Sequence, residues 1–310
     1  MTITAHAPHD AGERVVAGLA IALLANLTFA TSDAIVKTLT VNYSVFQIIV
    51  TQALFALVPI GVMLARSGGA HTMRVRHPWL VLLRGLTAGT GTVFGFYSFS
   101  KLPLAETYSI FFSTPIMVTL LSIPILGERV GIHRWTAVVI GLIGVLIMVR
   151  PGFETLHLGH AAALMGAIIG AFTVLLMRRI AREEQHSVMV MAVVLGLIVV
   201  GLPGAIVTFR MPSLQDLTLF ACGGLLMGSA QFLVVRALTL APASLVAPMQ
   251  YSMMLWAILY GYLLFGTRVD PLMIAGATVV IGSGVYIMQR ERRRGRSKTT
   301  APSQAWVQDP

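Results

Sequence analysis

Amide, hydroxyl and aromatic side chains lie near the centres of several long apolar stretches of this chain. The amides are Asn26, Gln231 and Gln250, and each carries hydrogen-bond donors and acceptors into a region with few other polar groups. Such groups are costly to bury unless a protein partner, water or a ligand meets them. Together with neighbouring rings, they are suited to bind a small molecule that is partly apolar and has polar or zwitterionic ends.

The candidate substrate-binding residues share a polar or aromatic side chain near the middle of an apolar stretch. They are Asn26, Phe29, Thr90, Tyr97, Tyr108, Phe112, Gln231, Ser244, Gln250, Tyr251 and Ser252. For Ser and Thr the simpler alternative is a hydrogen bond to a carbonyl of the same helix, and for the rings it is packing. Neither clustered basic residues nor paired carboxylates accompany them, so the set does not suit a polyphosphate or a bare metal ion.

A second group of residues is placed to control access to such a site. Asp33 and Lys37 are four residues apart near the outer end of the first apolar stretch, where they can pair on one helix face. Glu106 lies at the outer end of the fourth stretch. These charges are either solvated at the membrane interface or part of an outer gate, closed by ion pairs or by a proton-sensitive carboxylate. Pro115 and Pro248 interrupt corresponding helices, a feature found beside transporter binding sites.

The sequence lacks the motifs of several enzyme classes. There is no G-x-x-x-x-G-K-[ST] loop and no H-E-x-x-H pair. The single cysteine, Cys222, excludes an intramolecular disulfide and a cysteine-based metal site. An intramembrane enzyme is therefore the less favoured class, and we expect no enzymatic activity, cofactor or resident metal.

The elements that position these residues are expected to be membrane-spanning helices. Of 310 residues 56% are apolar and 11% charged, and the mean hydropathy is +0.82. Soluble domains carry about 25% charged residues, so this chain could not cover a soluble surface. Ten stretches approach the spanning length of about 20 residues. We number them spans 1 to 10: 15–38, 44–66, 78–100, 103–126, 133–150, 157–178, 187–208, 216–239, 243–265 and 270–289.

The distribution of Lys and Arg predicts the orientation. The N-terminal segment (1–14), the even-numbered loops and the basic tail (290–310) carry 15 of them, against 5 in the odd-numbered loops. The positive-inside rule then places both termini in the cytoplasm. It also accounts for the net charge of +10 without a nucleic-acid partner.

An internal repeat relates residues 15–150 to residues 157–289. Gly85-x-x-x-Gly89 recurs as Gly224-x-x-x-Gly228, and four further matches occur in the same order in both halves, at offsets of 136 to 144. Each half has five spans, and because five is odd the second half enters the membrane inverted. This all-α plan of two inverted five-helix repeats is common among secondary transporters. We expect spans 1, 3, 4, 8 and 9 to line a cavity, and spans 5 and 7 to face lipid or another protomer.

Ten spans, the duplicated half, Gly127-Glu128-Arg129 and the glycine-rich stretch from Gly141 to Ile147 resemble the EamA-type proteins of the drug/metabolite transporter superfamily. The resemblance covers residues 15–289, and its nearest likeness is to the aromatic amino-acid exporter branch. It implies ten helices around a central cavity and transport of small metabolites across a bacterial inner membrane, with amino-acid export frequent. The second half has Thr267 where the first has Glu128, which favours a loop or capping role for Glu128.

The predicted function is a secondary transporter that exports amino acids, including aromatic ones, or similar metabolites by alternating access. Carriage of sugar nucleotides or drugs by the same superfamily is the alternative, although sugar nucleotides would require phosphate-binding cations at depth. The expected partners are a small-molecule substrate and the lipid bilayer. Coupling ion and oligomeric state stay open at this point.

Overall fold

The computed structural model describes residues 8–66, 75–126, 132–149, 157–180, 183–268, 270–272, 274–283 and 285–286. Their regular structure is helical, as predicted. The helices are α1 Pro8–Leu39, α2 Val45–Arg66, α3 Pro78–Lys101, α4 Leu104–Phe111, α5 Thr114–Leu126, α6 Ile132–Val149, α7 Leu158–Ile180, α8 His186–Val207, α9 Leu214–Leu240, α10 Ala243–Val246, α11 Ser252–Phe265 and α12 Ile274–Ser283. A 3-10 turn, Ala247–Tyr251, joins α10 to α11. The Gly127-Glu128-Arg129 motif, residues 1–7 and the tail 290–310 lie outside the described residues.

Seven helical segments among the described residues are long and apolar enough to cross a membrane. They are Glu13–Leu39, Val45–Arg66, Pro78–Lys101, Leu104–Ile125, Leu158–Ile180, His186–Val207 and Leu214–Leu240. These segments coincide with predicted spans 1 to 4 and 6 to 8. Helices α6, α11 and α12 overlie spans 5, 9 and 10. An all-helical membrane protein is thereby confirmed, and the inverted ten-helix plan stays a prediction.

Close helix packing depends on the glycine pairs. Helix α3 packs on α7 and α8, α9 packs on α1 and α2, and α2 also contacts α8. A Cβ atom on Gly89 would lie 2.5 Å from the carbonyl oxygen of Gly196, and one on Gly228 would lie 2.7 Å from that of Ala56. These distances are shorter than real contacts allow, so only glycine permits the two crossings. The Gly85/Gly89 and Gly224/Gly228 spacings therefore have a packing role.

Two helices are interrupted where the sequence places a proline. Between α4 and α5 the chain turns at Phe112 and Ser113, and Pro115 lies in the first turn of α5. Pro248 lies in the 3-10 turn between α10 and α11. Proline lacks the N–H that an uninterrupted helix would use, and its ring crowds the preceding turn.

We name the two ends of the bundle after residues found there. The Lys37 end holds the C-termini of α1 and α3 and the N-termini of α2, α4, α7 and α9. Hydrogen bonds such as Tyr43 Oη to Asp216 Oδ2, 2.8 Å, join these segments. The Arg178 end holds the C-terminus of α7 and the N-termini of α3 and α8, where Glu184 Oε1 accepts from the backbone N–H of His77 at 2.6 Å.

Candidate functional site

A cavity of about 630 Å³ lies inside the bundle. Most of its wall comes from α3, from α4 and α5, and from α7, with contributions from α1 and the 3-10 turn. Its lining residues include Asp33, Thr87, Gly91, Thr92, Gly95, Phe96, Phe99, Tyr108, Phe111, Phe112, Thr114, Pro115, Thr119, Ser122, Gly166, Gly170, Thr173, Val174, Arg178, Gln250 and Tyr251.

The part of the cavity nearest the Lys37 end is aromatic. The ring of Tyr108 lies 5.7 Å from that of Phe99 and 6.4 Å from that of Phe112, measured between centroids. Tyr251 packs edge-on against Phe112 at 5.1 Å. The hydroxyl of Tyr251 is buried and has no hydrogen-bond partner within the described residues. These rings can bind a flat apolar group, and the Tyr251 hydroxyl is free to bond to it.

The part nearest the Arg178 end is polar. Thr173 Oγ1 donates to Thr87 Oγ1 at 3.0 Å and links α7 to α3 across the cavity wall. Thr119 and Ser122 of α5 also line this part, and the guanidinium-bearing Arg178 is exposed at its mouth. A polar or anionic end of a bound molecule would find partners here.

Asp33 and Lys37 have different partners, so the expected pairing within one helix face is wrong. The Asp33 carboxylate lines the cavity and accepts a hydrogen bond from the Tyr108 hydroxyl. The Lys37 ammonium donates to the carbonyl oxygens of Phe99 at 2.9 Å and Leu102 at 2.7 Å. These carbonyls are free to accept because α3 ends at Lys101, which leaves its last carbonyls without helical partners.

Side-chain contacts join four helices at the Lys37 end of the bundle. Glu106 Oε1 lies 2.6 Å from His160 Nε2, and both side chains are nearly buried between α4 and α7. The Lys37 bonds link α1 to the C-terminal end of α3. Glu106, predicted as a gating residue, therefore takes part in a cross-helix contact at this end.

The structure brings six of the sequence-predicted site residues together on the cavity wall. Four were predicted to bind substrate and two to gate access. They are Tyr108, Phe112, Gln250, Tyr251, Asp33 and Pro115.

Other predicted binding residues lie away from this cavity. Asn26 is buried, and its amide donates to the carbonyl oxygen of Met249 at 2.6 Å and to Ser252 Oγ at 3.3 Å. Thr90 Oγ1 donates to the carbonyl oxygen of Leu86 in its own helix, the simpler alternative for a threonine. Also outside the lining are Phe29, Tyr97, Gln231, Ser252 and the predicted gating residue Pro248, and the side chain of Ser244 lies outside the described residues.

Helix α7 was missed as a cavity helix, and α9 was wrongly assigned to the wall of this cavity. The α7 residues Gly166, Gly170 and Thr173 are spaced by four and three residues and therefore share one helix face. The sequence alone could have indicated this helix face as a stripe of small residues that includes one polar side chain. Thr87, Thr119, Ser122 and Arg178 were missed as well. No three His, Cys, Asp or Glu side chains form a metal-type cluster in the part of the chain that the structure describes.

Comparison with known proteins shows that the sequence of this chain is similar to those of several membrane transporters. Over 278 residues the chain is 25% identical to a riboflavin transporter of Vibrio cholerae, covering 88% of this chain and 93% of that protein. It is 23% identical over 293 residues to an S-adenosylmethionine uptake transporter of Rickettsia prowazekii, covering 94% and 98%. An uncharacterized transporter of Helicobacter pylori is 26% identical and covers 87% and 94%. None of these three is named as an amino-acid exporter, so the aromatic amino-acid exporter branch gains no support from them.

A solved crystal structure shares the fold. It superimposes with a TM-score of 0.61 over 90% of this chain and 99% of that chain, at 17% sequence identity. The model of the EamA-like transporter family matches the chain twice, over residues 16–150 and 157–289. The two matches cover most of the chain and leave the cavity-lining helices inside the matched ranges. The chain belongs to the EamA-like transporter family.

Proposed function

We propose that the chain is a secondary transporter whose substrate is a small metabolite with a planar ring and polar ends. The observation that carries this proposal is the cavity itself, which has aromatic rings at one end and Thr, Ser and Arg side chains at the other. Its volume of about 630 Å³ lies within the range of about 300 to 1,000 Å³ usual for small-molecule sites.

The substrate class follows from the lining. A ring would stack among Phe99, Tyr108 and Phe112, and polar groups would meet Thr87 or Thr173. Riboflavin and S-adenosylmethionine, named for two relatives, each join a fused ring to a polar chain, and aromatic amino acids are a smaller version of the same chemistry. Sugar nucleotides fit less well, because Arg178 is the single Lys or Arg among the described lining residues and a diphosphate favours several.

We further propose two inverted five-helix halves, 15–150 and 157–289. Support comes from the twofold family match and from the packing. The main contacts join the two halves: α1 and α2 of the first pack on α9 of the second, and their equivalents α7 and α8 of the second pack on α3 of the first. The loop contacts follow the same rule at opposite ends: Tyr43 bonds to Asp216, and Glu183 bonds to His77. Equivalent members of the two pairs are separated by the repeat offset: Tyr43 and Glu183 are 140 residues apart, and His77 and Asp216 are 139 apart.

Alternating access would then open a second cavity, which the exchange of equivalent spans relates to the first. At offsets of 140 and 139, Asn26 is the counterpart of Gly166, and Gln231 is the counterpart of Thr92. The two counterparts, Gly166 and Thr92, line the cavity, whereas Asn26 is bonded to Met249 and Ser252. In the alternate state these bonds would open, and Asn26 and Gln231 would meet the substrate.

The proposed orientation has both termini in the cytoplasm of a bacterial cell, with the chain in its inner membrane. The open Arg178 end then faces the cytoplasm, and the Lys37 end is the closed outer side. In a variant with Cys222→Ser, a cysteine introduced at Gln185 should react with an impermeant maleimide only from the cytoplasmic side. One introduced at Ser213 should react only from outside, and the reverse result would overturn this orientation.

Flux into liposomes tests the proposed function. The purified chain is reconstituted and offered labelled riboflavin, S-adenosylmethionine, tryptophan and a sugar nucleotide, with and without a pH gradient. Saturable uptake of a ring-bearing compound above protein-free liposomes supports the proposal, and dependence on the pH gradient would identify coupling to protons. Uptake of the sugar nucleotide alone would refute the substrate class.

A further inference from the structure

Asp33 presents a carboxylate to the cavity, and no side chain of the described residues supplies a cationic partner to it. Its hydrogen-bond donor is the neutral hydroxyl of Tyr108. No Lys, Arg or His nitrogen of the described residues forms an ion pair with it. A carboxylate in a low-dielectric site is costly when it is not paired, because it has lost the water that would solvate its charge.

The nearest candidate cation along the helix is occupied elsewhere. Lys37 lies one turn beyond Asp33, but its ammonium donates to the carbonyl oxygens of Phe99 and Leu102. Arg178, the other base near the cavity, is at the opposite end. Charge neutralisation of Asp33 must therefore come from a proton or from a bound molecule.

The surroundings of Asp33 favour a bound organic cation. Phe99, Tyr108, Phe112 and Tyr251 line the same part of the cavity. Faces of aromatic rings attract cations, and such rings beside a carboxylate are suited to ammonium or sulfonium groups. A hydrated metal ion would gain little from the rings, and no second carboxylate is found among the described lining residues.

We infer that Asp33 binds the cationic group, an ammonium or a sulfonium, of the transported molecule. Resting on the proposed function, this inference narrows the substrate to a ring-bearing cation or zwitterion. Its positive group lies at Asp33 and the aromatic rings, and its anionic or polar end lies toward Arg178. A neutral ring compound would lack the contact with Asp33.

Two probes that differ in charge test the inference. Tryptamine carries an ammonium at neutral pH, and tryptophol has the same ring with a hydroxyl in its place. Equilibrium binding to the purified full chain should favour tryptamine, because a charge-assisted hydrogen bond contributes roughly tenfold to hundredfold in affinity. Asp33→Asn should remove that preference and leave tryptophol binding within about twofold, and Asp33→Glu should retain part of it. Glu183→Gln, which removes an exposed carboxylate that does not line the cavity, should change neither affinity.

A measurement on the unsubstituted residue keeps the test independent of folding in the variants. A hydrophobic carbodiimide should modify Asp33, and mass spectrometry locates the adduct. Tryptamine should slow this reaction, and tryptophol at equal occupancy should not. Equal tryptamine affinity in wild type and Asp33→Asn, or modification that tryptamine leaves unchanged, would overturn the inference. Saturable uptake of neutral riboflavin alongside either result would leave the proposed transporter function standing.

Discussion

Filling the cavity at Gly170 should stop transport without unfolding the protein. Gly170 lies in the interior of α7 and lines the cavity, and a Cβ atom built on it would meet nothing within 4 Å. The protein can therefore fold with a larger side chain at this position, but that side chain would occupy space that the substrate needs. We predict that Gly170→Leu abolishes flux and that Gly170→Ala reduces it.

The expected magnitudes follow from this open space. Replacing a helix-interior glycine by alanine favours folding by roughly 0.5 to 1 kcal/mol, because glycine loses more backbone freedom. One extra methyl group in a substrate pocket costs about 1 to 3 kcal/mol of binding, or roughly tenfold to 200-fold in transport efficiency. Gly170→Ala should thus raise the melting temperature slightly while lowering flux at low substrate concentration.

Gly61 supplies a matched control. It lies within α2, is exposed, and also has nothing within 4 Å of a built Cβ atom, but it does not line the cavity. Flux and melting temperature are measured for Gly170→Leu and Gly61→Leu under the same reconstitution. We expect wild-type flux for Gly61→Leu and no flux for Gly170→Leu. Wild-type flux in Gly170→Leu, with the protein correctly inserted, would refute the assignment of this cavity as the substrate site.

Three further predictions concern packing, an unpartnered hydroxyl and pH. Gly196→Ala should lower the melting temperature, because its Cβ atom would lie 1.9 Å from the carbonyl oxygen of Gly85 and overpacking costs about 1 to 3 kcal/mol; an unchanged melting temperature would contradict this. Tyr251→Phe should leave stability equal or higher, since a buried hydroxyl without a partner is removed, but should weaken substrate binding by roughly threefold to tenfold; unaltered affinity would show that the hydroxyl does not meet substrate. The hydrogen bond from His77 lowers the pKa of Glu183, so its stabilising effect is present above the ordinary carboxyl pKa and is lost as pH falls through the lowered value. Melting curves of wild type and Glu183→Gln should therefore differ at neutral pH and converge in acid, and a constant difference would be inconsistent with this contact.

The helices were predictable from the sequence because burial in lipid requires apolar stretches of a fixed length. The positions of seven described spans agree with those stretches. The break at Pro115 was also predictable from the local sequence, because proline has no N–H to donate to the preceding turn. Side-chain partners were less predictable, because they depend on which helices meet.

The partners and positions of Asn26 and Arg178 could not be predicted from the local sequence. The demand of the Asn26 amide for a partner was visible, but Met249 satisfies it from a segment 223 residues away. Arg178 is the last residue of predicted span 6 and was not among the predicted site residues, yet it lies at the mouth of the cavity. Lys37 was expected to pair with Asp33, but it bonds to the carbonyl oxygens of Phe99 and Leu102 at the C-terminal end of α3. None of these partners can be deduced without the packing of distant helices.

Substrate-protected labelling of α7 tests directly whether the substrate passes through the cavity. In a Cys222→Ser background, Thr173→Cys places a thiol on the cavity wall, and Gln215→Cys places one on an exposed turn of α9. We expect the transported compound to slow maleimide labelling at the position of Thr173, with half-protection at its half-saturating concentration for flux, and to leave labelling at Gln215 unchanged. An unchanged labelling rate at the position of Thr173 under saturating substrate, while flux continues, would contradict the claim that substrate passes through this cavity.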